Sequence, residues 1–123
     1  MAQTPRGAWG RFLDRFTKSA IELEADELHD ATVRRGATPI DELVDRSPVT
    51  VFGEVRSVAL RPRAQVPALV VELSDGTKPL QLVWLGRRAI AGIEPGRQLM
   101  ARGRVTFRRG IATIFNPSYE IVP

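Results

Sequence analysis

The spacing of apolar residues changes character near residue 48. Before that point apolar residues recur at helical intervals. Trp9, Phe12, Leu13 and Phe16 in "WGRFLDRF" fall at i, i+3, i+4 and i+7, one apolar stripe on a helix that then needs a surface to pack on. Ser19 followed by Glu22 has capping-box spacing and Gly36 supplies a stop. The pattern therefore predicts a second helix from Ser19 to Arg35, with Ile21, Ala25, Leu28 and Thr32 on one side. Glu22, Glu24, Asp26, Glu27 and Asp30 crowd the other side, the composition of a solvated face. "TPIDEL" offers Thr38 as a cap and Pro39 at the first helical position, which predicts one or two further turns ending near Asp45.

From Val49 onward, short runs of Val, Leu and Ile are separated by Gly, Pro and Asp, the punctuation of an all-β region. A long first strand is predicted over Val49 to Leu60, bent at Gly53, followed by the loop "RPRAQVP". A second strand, Ala68 to Ser74, alternates Leu69, Val71 and Leu73 against Val70 and Glu72. "DGTK" closes a hairpin into a third strand, Pro79 to Leu85, where Leu80, Leu82 and Trp84 are in phase. "GRRAIAGIEPG" is predicted to hold a short helix before the fourth strand, Gln98 to Phe107. A fifth strand runs from Ile111 to about Ile121. Five strands in this order, with a bent first strand and a helix between strands 3 and 4, predict a mainly β, five-stranded Greek-key OB-fold barrel preceded by an N-terminal helical segment. An SH3-like barrel ranks behind it, having no use for the helical insert at 87–95. The expected organisation is a helical extension over 1–47 and a barrel over 48–123.

With 123 residues the chain can build one core, and 43% hydrophobic with 26% charged residues is the balance of a globular protein. No apolar run reaches the ~20 residues of a membrane-spanning helix. "MAQTPRGAWGRF" lacks the apolar block of a secretory signal, so cytoplasmic residence is expected. The absence of cysteine removes disulfides, thiolate chemistry and cysteine zinc sites, and the single His29 leaves no histidine pair for a metal. The β region has no His or Cys to activate a nucleophile, and no phosphate-cradling glycine loop with a lysine occurs. Neither catalysis nor a cofactor is expected.

Charge divides unevenly. Residues 1–48 carry 7 Lys/Arg against 9 Asp/Glu, whereas residues 49–123 carry 11 against 5, and ten of those eleven cations are arginine. Arginine's planar fork suits phosphates and stacks on bases. Codon bias alone also enriches arginine, so position must decide.

"VTVFGEVRSVALRP", "LVVELSDGTKPLQLVWLG", "IEPGRQLMARGRV" and "IFNPSYEIV" resemble the OB-fold nucleic-acid-binding domains of the tRNA-anticodon type, small bacterial OB-fold proteins in particular. They are also similar to the wedge OB domain of RecG-type helicases. The resemblance covers about residues 48–122. Of the anticodon-type pattern, Leu73, Asp75 and Gln81 match, whereas Val70 stands at the stacking aromatic position and Ser74 at the arginine position. The resemblance implies the barrel and a nucleic-acid ligand, and it points to Gln81 as a contact.

In an OB barrel the ligand face is flanked by the loop joining strands 1 and 2 and the loop joining strands 4 and 5. The first holds Arg61 and Arg63, the second Arg108 and Arg109, so four cations distant in sequence are expected at one edge. Clustered like charges oppose folding unless an anion is to be met. Strand alternation, with Leu99, Ala101 and Val105 inward, turns Arg102 and Arg104 outward, and Arg56 likewise on strand 1. Phe52 either stacks on a base or packs against the N-terminal helices, packing being favoured, and Trp84, Phe107, Phe115 and Tyr119 are assigned to the core.

The expected function is a non-catalytic, sequence-tolerant binder of single-stranded DNA or RNA through arginine–phosphate contacts. The alternative is a protein-interaction or self-associating module. It would use the N-terminal helices and the apolar outer face of strands 2 and 3, where Val70, Val83 and Leu85 call for a cover.

Overall fold

A computed structural model of the chain describes residues 20–62 and 66–123. The stripe of Trp9, Phe12, Leu13 and Phe16, the Ser19 cap and Arg63 lie outside the described residues. Helix α1 covers 20–34 of the described residues and ends on Gly36, whose φ of 71° satisfies the left-handed stop expected there. Leu28 and Thr32 face inward as the periodicity predicts, while Ile21 is exposed. The predicted turns after Thr38 shrink to a three-residue 3-10 helix, Ile40–Glu42, whose N-cap is Pro39 and not Thr38. The Thr38 N–H donates instead to the Thr50 carbonyl, pinning this segment to the barrel.

Six strands follow: β1 (Pro48–Arg61), β2 (Ala68–Ser74), β3 (Pro79–Leu85), β4 (Gln98–Arg108), β5 (Ile111–Phe115) and β6 (Ser118–Val122). β1 is long enough to serve two seams. Its first half pairs with β4 over 48–54 and its second half with β2 over 54–61, with the switch at Gly53 and Glu54. A Cβ on Gly53 would sit 2.7 Å from the Ser74 carbonyl oxygen, so only glycine lets the bent strand pass so close to the end of β2. β2 pairs with β3, β3 with β5 in parallel, and β5 with β4, which completes a near-closed ring of five strands. This is the OB arrangement. The inward residues Val51, Val55, Leu69, Val71, Leu73, Leu80, Leu82, Trp84, Leu99, Ala101, Val105 and Ile114 fill the barrel.

Two sequence expectations are corrected here. The segment between β3 and β4 contains no helix: Ile93 N–H bonds the Ile90 carbonyl and Arg97 N–H the Glu94 carbonyl, making two successive tight turns. Gly92 and Gly96 hold positive φ of 85° and 93°, and Pro95 interrupts the same stretch, so a helix has no uninterrupted run in which to propagate. Ile90 and Ile93 plug the barrel from these turns. The long fifth strand is likewise two strands, broken where Asn116 adopts φ 50° before Pro117. β5 continues to pair with β3 and β4, whereas β6 pairs with β4 alone.

α1 docks on the outer face of the β1–β4–β6 wall. Leu28 and Ala37 pack with Phe52, Met100 and Val122, and the Arg35 guanidinium lies 5.4 Å from the centre of the Phe52 ring. The 3-10 helix is tied to the β2–β3 turn by Asp75, which is fully buried. Its Oδ2 accepts from Ile40 N–H at 2.7 Å, and its Oδ1 accepts from the Thr77 N–H at 3.0 Å and the Thr77 hydroxyl at 2.6 Å.

Candidate nucleic-acid interface

Register places the outward residues of four strands in rows. Ala59 of β1 lies opposite Val70 of β2, Val70 opposite Val83 of β3, and Val83 beside Phe115 of β5. The neighbouring row runs Ser57, Glu72, Gln81, Thr113 and Thr106. Arg61, opposite Ala68, lies beyond the first row, and Arg108, opposite Ile111, lies beyond the second, at the other edge. Val70, Val83 and Phe115 of the first row, with Gln81 and Thr113 of the second, line a shallow groove of about 240 Å³, and Glu72, next to Gln81 in its row, stands outside that lining. Val70 and Val83 form its floor at 7% and 4% exposure, packed with Ala68 and against Phe115. Arg61, Arg108 and Arg109 line it together with Gln81, Ile111 and Thr113.

The expected meeting of the two loop tips is present for three of the four arginines. Arg61 leaves β1 at one rim, and the β4–β5 hairpin brings Arg108 and Arg109 to the other. That hairpin is a two-residue turn in which Arg109 has φ 54° and Gly110 φ 80°, the pair of left-handed values a type I′ turn requires. Asparagine or glycine normally takes the first of these positions. A side chain there with no local hydrogen bond to offer costs on the order of 1 kcal/mol. Arg109→Asn is therefore expected to raise unfolding stability by about 0.5–1 kcal/mol in urea titrations. If Arg109 contacts a phosphate, the same variant binds single strands more weakly, and a gain in stability with undiminished affinity would remove Arg109 from the site.

Other expected site residues lie elsewhere. Arg102 and Arg104 do alternate outward from the buried Ala101 and Val105, but they do so on the β1–β4–β6 wall. Arg102 stands between Thr50 and Ser118, and Arg104 donates to the Arg46 carbonyl. Neither lines the groove. Arg56 occupies the bulge where the β1–β2 register shifts, and it is held by Glu54 at 2.8 Å and Glu24 of α1 at 3.4 Å. A cation flanked by two carboxylates offers little attraction to a polyanion. Phe52 is fully buried beneath α1, so its ring has no open face for a base and packing is its role. Of the motif matches, Leu73 is core, Asp75 is the buried acceptor described above, and Gln81 alone reaches the groove.

Phe115 was assigned to the core on sequence and is instead a half-buried wall of the groove, with the Arg108 guanidinium 5.4 Å from its ring centre. Phe107 and Tyr119, assigned alike, are 39% and 38% exposed, while Trp84 is core and donates its Nε1–H to the Pro117 carbonyl. "IATIF" is apolar at both parities, which hides the outward phase; Thr113, two residues before Phe115, was the available clue. On the apolar outer face of β2 and β3, Val70 and Val83 are buried with Ala68 and against Phe115, whereas Leu85 is 39% exposed. The described part of α1 lies on the other wall.

A larger cleft of about 630 Å³ lies between α1 and the barrel, but Glu24, Glu27 and Glu54 line it alongside Arg34 and Arg35. Its charges compensate one another. The smaller groove, by contrast, is lined by arginine and has no carboxylate in its lining. No described helix is long and apolar enough to cross a membrane.

Comparison with known proteins agrees with this geometry. No curated protein matches the chain. Among solved structures, RecG bound to a three-way DNA junction superposes with a TM-score of 0.54 at 22% identity over 70% of this chain. The p204 HINb domain superposes with a TM-score of 0.57 at 18% identity over 72% of it. The matched region spans 12% of the RecG chain and 49% of the HINb chain, and the likeness is one of fold. A family model described as an OB-fold nucleic acid binding domain of the tRNA-anticodon type matches residues 49–122, the whole five-strand ring together with β6. The chain belongs to that family of OB-fold nucleic acid binding domains.

Proposed function

We propose that the groove binds single-stranded DNA or RNA, with the phosphate backbone running between the Arg61 rim and the Arg108–Arg109 rim. The observation that carries this reading is the convergence of these three arginines, from two loops far apart in sequence, on one groove without carboxylates in its lining. Guanidinium groups contact phosphates whatever the base, so binding depends on salt more than on sequence. The binder is non-catalytic: the groove offers arginine, glutamine, threonine and apolar side chains, and none of these is a nucleophile paired with a base. The small floor residues leave space for nucleotides to lie against the β2–β3–β5 wall.

Fluorescence anisotropy with labelled eight-nucleotide DNA, RNA and duplex, each at two salt concentrations, tests the reading. Single strands are expected to bind more tightly than duplex, because a shallow groove between two loop rims admits one backbone. Three engaged phosphates give a slope of log K against log salt of about −2 on a single strand. Binding that ignores salt, or a preference for duplex, would end this reading.

A further inference from the structure

The base platform of this groove is displaced from β2 and β3 to the seam with β5. On single-strand binders, affinity beyond charge comes from bases stacking on aromatic rings or guanidinium planes. Here β2 and β3 contribute only Val70, Val83 and Gln81 to the groove lining, and none of them offers a π-face. The ring that does line it is Phe115, set beside Val83 by the parallel β3–β5 pairing, with the Arg108 guanidinium over that ring. Arg108 is exposed and Phe115 half-buried, so both can be reached from the groove side.

Resting on the single-strand reading above, we infer that Phe115 and Arg108 together form a seat for one nucleobase. The base stacks on the Arg108 plane, and its edge lies over the Val70–Val83 floor. The size of the groove agrees: about 240 Å³ is below the range that encloses a drug-sized molecule and admits a single ring system. The adjoining row bears on tolerance. Gln81 carries both a donor and an acceptor, and Thr113, whose hydroxyl donates to the Ile111 carbonyl, is left as an acceptor. An amide that can donate or accept suits every base edge. The seat therefore strengthens binding without selecting a sequence. Arg108 thereby differs in role from Arg61 and Arg109, which serve phosphates alone.

The test compares an eight-nucleotide oligothymidylate with a chain of equal length and charge in which every residue is abasic. The wild-type protein is expected to bind oligothymidylate about tenfold more tightly than the abasic chain. Phe115→Leu removes that preference while leaving the abasic affinity and the salt slope unchanged. Arg108→Lys keeps the charge, loses the plane and also diminishes the preference, with an unaltered slope. Because Arg108 is exposed, this second variant carries the test should Phe115→Leu fold poorly. Equal wild-type binding of the two chains, with a steep salt slope for both, overturns the base seat and leaves the phosphate reading standing. Full retention of the preference in both variants also overturns it. If the wild-type protein binds neither chain, both the seat and the single-strand reading fall.

Discussion

Alanine at Arg61, Arg108 and Arg109 together is expected to flatten the slope of log K against log salt for a single strand by about 2, since each phosphate neutralised contributes about 0.7. Between 50 and 200 mM salt, the wild-type protein then loses about 15-fold more affinity than the variant. Arg102→Ala is the matched control. Arg102 is equally exposed and equally charged, but it lies between Thr50 and Ser118 on the wall that carries α1, so its removal leaves the slope nearly unchanged. Isothermal or anisotropy titrations over a salt series read both results. An equal effect from Arg102→Ala would show that net charge, and not this groove, governs binding.

Asp75→Ala is expected to be the most destabilising single change among the polar residues, costing on the order of 3 kcal/mol and lowering the thermal midpoint by roughly 10 °C. Its carboxylate is fully buried and accepts three hydrogen bonds, and one of these holds the first turn of the 3-10 helix against the β2–β3 turn. Removing it strands the Ile40 N–H in the interior, next to a side chain that is itself part of the barrel core. Asp75→Asn retains one acceptor oxygen and should recover a good part of the loss. Thermal melts of the two variants decide the matter, and an alanine variant as stable as the asparagine one would refute the account. Affinity for single strands in the folded fraction should be untouched, because Asp75 lies outside the groove lining.

That expectation shows which parts of the molecule its residues announce. Strands β1 to β4 are legible within one residue at each end because Gly, Pro and Asp delimit runs with a clear alternation, and each seam then follows from the barrel order. Alternation also sorts inward from outward: Leu99, Ala101 and Val105 are all buried, and Arg102 and Arg104 are exposed. What alternation cannot carry is the wall. An outward residue in the first half of β1 or β4 meets α1 or open solvent, while one on β2, β3 or β5, or at the far end of β1 or β4, can meet the groove, and that depends on pairing between strands remote in sequence. Arg102 and Arg104 point outward as expected but away from the groove for this reason. Phe115 was hidden for another, since apolar residues occupy both parities of β5. The segment at 86–97 is long enough for a short helix, and its length does not reveal that two tight turns span it instead. Within the family motif, Leu73 and Asp75 are buried in the fold and Gln81 lines the groove, so only the last of the three matched positions bears on the proposed binding.

The parallel seam between β3 and β5 has a consequence for how the groove comes into being. Antiparallel neighbours can zip from a local turn, but the two walls meeting at Val83 and Phe115 are joined in sequence only through the whole excursion from Gly86 to Gly110. The ligand face thus has no existence in any partly assembled hairpin. Its appearance coincides with closure of the ring, so on the proposed reading a polyanion lodged across that seam would act as a clasp on the finished barrel and favour its closed form.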